Sequence, residues 1–352
     1  MNYSNKNIQK MKAYNPPLDD RQNFEGLLLD FNERTVPISG NVVKAMQNFA
    51  GGGKVQIYPE YFDICEKIAN YSNVDSDQVM ITNGSDQGIS LIFSTFTGKK
   101  DKVIIPSPSF AMFYQWAKIS DNYIVMPSYD EGLNFPMEEV LDEIDKKTKL
   151  VVLCNPNNPT GTLLGLEEIE KVVVKASEMG ALVYVDEAYY EFSGVSAAGL
   201  IAKYENLIVT RTFSKAFGLP SLRIGYVLAN EALIAEMLKV RGPYDVNMFA
   251  LVGARAALKN VDEMEDYVRE VMGDAKPMVE KFFEERGVKF WKSGMNSLLF
   301  KPTDASKTFG YLKKNGILTR PRNGMNIEGT VRVSIGTVKE MKKFIDTLNK
   351  IL

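Results

Sequence analysis

Short apolar runs alternate with amphipathic stretches through the middle of this chain. Gln78–Thr82, Lys102–Ile105, Tyr123–Met126, Leu150–Leu153, Leu182–Asp186, Leu207–Arg211 and Ile224–Leu228 read as strands. Between most of them lie candidate helices, such as Asp86–Phe96, Phe110–Ile119, Leu166–Met179 and Glu231–Val240. Strands alternating with helices predict βαβ units, and so an α/β fold with a mostly parallel sheet covered on both faces.

The texture changes after Pro243. Val246–Lys259 and Val261–Arg286 read as long helices, with Asn260 as the break between them. Strand-like pieces follow at Val288–Trp291, Asn296–Phe300 and Thr330–Ile335, with helices at Ala305–Lys314 and Val338–Leu352. This is the pattern of a smaller α+β unit. The N-terminal arm is extended at Tyr14–Pro17 and Leu27–Pro37 and is expected to pack beside that unit or near the active site. Gly51–Gly53 reads as a flexible connector or loop. The expected division is a large domain over 42–244, with 1–41 and 245–352 forming the arm and the small domain.

Composition narrows the function more than the fold. With 352 residues, 45% of them hydrophobic, the chain can bury one large core and a smaller one. A net charge of −2 and no long basic run argue against a nucleic-acid partner. Cys65 and Cys154 lie far apart, so neither a disulfide framework nor a zinc site is expected, and a reducing cytoplasm is the simple reading. Met1–Pro17 has no apolar signal-peptide core, and no apolar run reaches the length of a membrane span. The chain contains no histidine. That excludes Ser–His and Cys–His catalysis and imidazole metal sites, so a proton carrier must be Lys, Asp, Glu, Tyr or Cys.

Four segments at predicted strand ends carry chemistry. In TRTFSKAFGLPSLRIGY, which starts at Thr210, a strand is followed by Lys215 in a hydroxyl-rich turn. A lone lysine there is most simply a solvated surface residue. Schiff-base chemistry instead needs a lysine that can be neutral, and burial or nearby cations lower its pKa. Thr212, Ser214 and Arg223 offer two hydroxyls and a guanidinium, the groups a phosphate monoester requires. In VYVDEAY the apolar strand ends at Asp186, which either caps the next helix or faces a pyridinium nitrogen, with Tyr189 beyond it. CNPNNPTG, from Cys154, is first of all a turn, but it follows a strand at the edge where ligands gather in open α/β sheets. TNGSDQG, from Thr82, joins a strand to a helix and can present amides to a phosphate. No glycine fingerprint of a dinucleotide fold follows an early strand.

NPNNPTG, DEAY and SKAFGLPSLRIGY, in this order, resemble the fold-type I aminotransferases dependent on pyridoxal 5′-phosphate (PLP). Within them the chain is similar to the histidinol-phosphate aminotransferase group over nearly its whole length. The resemblance implies the aspartate aminotransferase-like fold and a homodimer with shared active sites. It implies that Lys215 carries PLP and moves the proton, that Asp186 holds the pyridine nitrogen, and that Asn158 and Tyr189 bond the ring oxygen. Gly84, Ser85, Asp86, Thr212, Ser214 and Arg223 would form the phosphate cup. Phe110 would stack on the ring, and Tyr58 would reach a neighbouring subunit's cofactor phosphate. Arg332 would meet the substrate's anionic group and Arg320 its phosphate. Tyr14, Asn32 and Glu33 would belong to an arm closing over the substrate. Three departures bear on the substrate: Arg34 after the Asn–Glu pair, expected to crowd or re-charge the far end of the pocket; Arg322, a second cation beside Arg320; and Gly51–Gly53, lengthening the approach to Tyr58.

An aminotransferase with glutamate as donor and a phosphate-bearing keto acceptor is the first expectation. By resemblance the acceptor is imidazole-acetol phosphate, with a small phosphorylated ketone such as dihydroxyacetone phosphate as rival. A decarboxylase of a phosphorylated amino acid would use the same fold and lysine but break a different bond. A PLP-binding regulatory domain without turnover is the reading from another class. It would usually be joined to a DNA-binding module, which this chain leaves no room for before Tyr14.

Overall fold

The computed structural model describes residues 3–14, 16, 18 and 21–352; Met1 and, in the proline-marked arm, Asn15 and Pro17 lie outside the described residues. Strand β1 (Leu27–Leu28) belongs to the arm. Seven strands then build one sheet: β2 (Val79–Thr82), β3 (Lys102–Ile104), β4 (Tyr123–Val125), β5 (Thr148–Cys154), β6 (Leu182–Asp186), β7 (Leu207–Thr212) and β8 (Gly225–Ala229). Their order is β2-β8-β7-β6-β5-β3-β4. All neighbours are parallel except that β8 runs against both β2 and β7. The seven expected strands are all present, within two residues at each end.

The central strands explain their own composition. All of β7 and β8 is buried, as are Leu150–Leu153 of β5 and Val183–Asp186 of β6. Helices cover both faces, so these strands need apolar side chains on both sides. The helix Leu166–Met179 buries Ile169, Val172, Val173 and Ala176, a single stripe at helical spacing, and ends at Gly180 in the left-handed conformation.

The C-terminal part carries β9 (Lys289–Trp291), β10 (Ser297–Lys301), β11 (Ile317–Leu318), β12 (Arg320–Arg322) and β13 (Thr330–Ser334). An antiparallel sheet forms in the order β12-β13-β10-β9. Strand β11 pairs in parallel with β1 instead, so the arm is tied to this second unit by backbone hydrogen bonds.

Several elements differ from expectation. The helix expected over Val261–Arg286 is regular at Asp262–Arg269, widens into a π turn at Glu270–Ala275, and resumes at Lys276–Glu285. The last helix stops at Leu348. Helices at Gly40–Gly51, Phe62–Ser72 and Met137–Glu143 had no expectation behind them. Gly40–Gly51 buries only Val42 and is bounded by glycine, so its apolar stripe is faint. Gly51 therefore completes a helix and Gly52 caps it, where a flexible connector was expected. No described helix is long and apolar enough to cross a membrane.

Candidate active site

Parallel strands β5, β6 and β7 end side by side at Cys154, Asp186 and Thr212, which delivers three of the four motifs to one sheet edge. A cavity of about 300 Å³ opens there, between the sheet edge, the arm and the arginines of β12 and β13. Tyr14, Glu33, Ser85, Asp86, Phe110, Asn158, Asp186, Tyr189, Thr212, Ser214, Lys215, Arg223, Arg320, Arg322 and Arg332 line it, as do Phe31 and Pro220.

Lys215 is half-buried in the cavity wall, and its Nζ donates to the Phe31 carbonyl at 2.8 Å. Burial, reinforced by the Arg332 charge, lowers its pKa to about 8. Asp186 is buried at the end of β6, where burial raises its pKa to about 6. Its oxygens accept from the Ala188 N–H at 3.0 Å and from Tyr184 Oη at 3.0 Å. No basic side chain hydrogen-bonds to it among the described residues. A buried carboxylate without a cation is what a protonated ring nitrogen would satisfy.

Tyr189 Oη receives Nδ2 hydrogen bonds from Asn158 at 3.2 Å and from Asn32 at 3.1 Å. Asn158 Oδ1 in turn accepts from Arg332 Nη1 at 2.6 Å, and Arg332 Nη2 donates to the Asp30 carbonyl at 2.6 Å. Asn32 is fully buried behind Tyr189, outside the cavity wall, and its backbone N–H donates to Ser334 Oγ at 2.9 Å. Phe110 stands at the N-terminal end of helix Ala111–Ile119, edge-on to Phe113.

The residues expected to form a phosphate cup meet at the N-terminus of helix Gly84–Phe96. Gly84 has φ +72°, and a Cβ there would sit 2.6 Å from Arg223 Nη2. Glycine is required both for the backbone and for the guanidinium's approach. Arg223 Nη2 donates to Asp86 Oδ2 at 2.9 Å, and Thr212 Oγ1 donates to Ser214 Oγ at 2.9 Å. Amides, hydroxyls and a guanidinium converge there as a phosphate monoester requires.

At the opposite end, Arg320 and Arg332 face each other across β12 and β13, and Arg322 follows two residues on, on the same face. Arg320 Nη1, Arg322 Nε and Arg332 Nε are buried donors with no partner. Burial lowers the Arg332 pKa to about 10 and that of Arg322 as well, with Arg320 adding to both. Adjacent guanidiniums repel, so unpartnered donors here call for an anion.

Asn32, Tyr58 and Arg34 lie off the cavity wall, and Asn32 stands behind Tyr189 without facing the substrate space. Tyr58 is 72% exposed, stacks on Tyr244 at 4.4 Å and does not line its own chain's cavity. Arg34 does not reach the far end of the pocket, contrary to expectation. It turns away, donates to the Ala216 carbonyl at 3.1 Å and lies over the Tyr267 ring. Gly51–Gly53 does not line the cavity either. Of the three departures, only Arg322 touches the pocket. Phe31, whose carbonyl receives Lys215, and Asp30, whose carbonyl receives Arg332, carry no sequence signal, because backbone acceptors are set by the tertiary fold.

The family model described as aminotransferase class I and II matches residues 25–348. A histidinol-phosphate aminotransferase of Thermoanaerobacter sp. (strain X514) is 34% identical over 328 residues, covering 92% of each chain. A dihydroxyacetone phosphate transaminase of Campylobacter jejuni is 34% identical over 349 residues, covering 96% of this chain and 94% of that one. The crystal structure of histidinol-phosphate aminotransferase from Sinorhizobium meliloti, in complex with pyridoxal 5′-phosphate, superposes with a TM-score of 0.89. It covers 100% of this chain and 99% of that one at 21% identity.

Proposed function

The chain belongs to the class I and II aminotransferases and is a PLP-dependent enzyme, and from that premise we propose that it moves an amino group between glutamate and a small phosphate-bearing ketone. The observation that carries the substrate class is the set of buried, unpartnered guanidinium N–H groups on Arg320, Arg322 and Arg332. Similar chains are named histidinol-phosphate aminotransferase and dihydroxyacetone phosphate transaminase, and both names carry a phosphate, which supports a phosphate at the far end. Glutamate brings two carboxylates to the same arginines.

When bound, the cofactor supplies the electron sink for cleavage at the substrate's α-carbon. Lys215 would hold it covalently. With its pKa near 8, the Lys215 amine is also the base that moves a proton at that carbon. Asp186 would accept a hydrogen bond from the ring nitrogen, and Asn158 and Tyr189 would orient the ring oxygen. Phe110 would lie against the ring. Gly84, Ser85, Asp86, Thr212, Ser214 and Arg223 would hold the phosphate. Arg332 would take the substrate's carboxylate, with Arg320 and Arg322 on the substrate phosphate. Tyr14 would meet the substrate from the arm side, with Glu33 at the margin of the pocket, while Asn32 would act from behind by holding Tyr189.

Tyr58 shares an exposed groove with Val55 and Ile57 and stacks on the exposed Tyr244. Burial of that surface against a second copy would bring Tyr58 to the neighbour's phosphate site, so the working unit is a homodimer. Two free cysteines favour a cytoplasmic setting.

The test is a single turnover of the PLP-loaded protein without keto acid, followed by its visible spectrum. Glutamate and either histidinol phosphate or 2-amino-1,3-propanediol phosphate should each shift the band to that of the amine form. Release of carbon dioxide from a phosphorylated amino acid, with no such shift, would replace this reading by a decarboxylase.

A further inference from the structure

Two carboxylates stand close to the arginine end of the cavity. Glu33 lines it, and Asp30 is buried directly behind, with its own carbonyl on Arg332. Left free, they would be the natural counter-ions of Arg320, Arg322 and Arg332. An acid of the protein on a substrate-binding guanidinium competes with the substrate anion and repels it. Yet the three arginines keep unpartnered N–H groups.

The reason is Arg21. Its Nε and Nη2 hold Asp30 in a fork at 2.9 Å each, and Nη1 donates to Glu33 Oε1 at 3.3 Å. Nη2 also reaches Glu33 Oε2. The guanidinium lies 4.6 Å over the Phe31 ring, while Arg320 lies 5.4 Å from the centre of the same ring. Arg21 is 14% exposed and is not part of the cavity wall. It engages both acids from outside the pocket.

We propose that Arg21 is a positioning residue that holds Asp30 and Glu33 away from Arg320, Arg322 and Arg332, and so keeps those three arginines open for a dianionic substrate group. The dianion rests on the phosphate reading above; the positioning role does not. The charge effect extends to Lys215. The groups that shift its pKa electrostatically are Arg332 and Arg223, which lower it, and Glu33 and Asp86, which raise it. Freeing Glu33 from Arg21 strengthens the raising side.

Four cofactor-loaded proteins test this: wild type, Arg21→Lys, Arg21→Gln, and the triple variant Arg21→Gln/Asp30→Asn/Glu33→Gln, which removes all three charges with little change of shape. Calorimetry measures binding of glycerol 3-phosphate and, in parallel, glutarate. Spectrophotometric titration measures the pKa of the lysine–cofactor linkage. Arg21→Gln should weaken glycerol 3-phosphate by about tenfold or more, the scale of one desolvated ion pair. It should also move the spectral pKa upward. The triple variant should return affinity to within about threefold of wild type and restore the spectral pKa. Arg21→Lys should lie between. A triple variant as weak as Arg21→Gln, with no spectral recovery, would mean that Arg21 only shapes the arm, and the proposal is overturned. An unchanged Arg21→Gln overturns it too. If Arg21→Gln does not fold, Arg21→Lys against the triple variant decides. Wild type that binds glutarate but not glycerol 3-phosphate sinks the phosphate reading alone, and the variant series in glutarate still decides the role of Arg21.

Discussion

Gly84→Ala separates the role of a backbone from the role of a guanidinium. At φ +72° an alanine is strained by about 1–2 kcal/mol, the cost of the left-handed region for a residue with a Cβ. The Cβ would also stand 2.6 Å from Arg223 Nη2, inside any van der Waals contact. That atom is the far end of a flexible side chain that is 44% exposed, so the guanidinium moves and the backbone stays. Arg223 should then lose its place beside the helix N-terminus. A hydrogen bond to a charged group contributes about 1.5–3 kcal/mol. The expected cost in cofactor affinity is therefore about tenfold to a hundredfold. Equilibrium dialysis of the apoenzyme with PLP measures it, and urea unfolding of the apoenzyme measures the strain separately. Arg223→Gln should lose a similar amount, and the double variant little more than either single one, because both changes remove the same contact. If Gly84→Ala weakens PLP as much in the Arg223→Gln background as in wild type, the coupling through Arg223 is refuted.

Other substitutions test the remaining assignments. Lys215→Ala should abolish turnover while the protein keeps its circular dichroism and still binds PLP without the lysine linkage. Lys215, with its folded pKa lowered to about 8, holds fewer protons in the native apoenzyme than in the unfolded chain above that value. Its contribution makes the apoenzyme gain stability as pH rises from about 8 towards 10.5, and Lys215→Met should flatten that rise in urea titrations. Asp186 has the opposite sign. Its folded pKa is raised to about 6, so the native apoenzyme loses stability as pH rises from about 4 to 6, and Asp186→Asn should remove that dependence. Arg211 is buried in an ion pair with Glu187 at 2.9 Å, on strand β7 four residues before Lys215. Arg211→Met should cost about 3–5 kcal/mol by stranding that carboxylate, measured by urea unfolding, whereas Arg211→Met with Glu187→Leu should recover most of it.

The sheet was legible because β5, β6 and β7 are buried on both faces and so have apolar text with no competing period. Lys215, Asp186 and Asn158 were legible because each ends such a strand or follows it at its carboxyl end. Helix Gly40–Gly51 was not, since a surface helix with one buried side chain leaves no stripe to read. Arg34 misled for a different reason. Its neighbour Glu33 faces the cavity, but Asn32 takes a left-handed φ of 55°, which turns the chain and sends Arg34 towards Tyr267. Three consecutive residues thus serve three environments, and side-chain direction cannot be inferred from adjacency. Arg21 was missed because its partners are recognisable only once the arm has folded back on itself.

The arm is where the site is assembled. Asp30, Phe31 and Asn32 reach, in succession, Arg332, Lys215 and Tyr189. Two of those bonds use backbone carbonyls, which no substitution can remove and no titration can neutralise. A carbonyl beside Lys215 accepts an N–H from the amine whether it is charged or neutral, so it steadies the side chain without fixing its protonation state. A carboxylate in the same place would raise the lysine's pKa and oppose the effect of burial and Arg332. The arm does carry carboxylates, Asp30 and Glu33, but both are bound to Arg21. Neutral acceptors at the base and spent acids beside the arginines are two answers to one electrostatic requirement: the lysine must be able to lose its proton while the far end of the cavity stays attractive to anions.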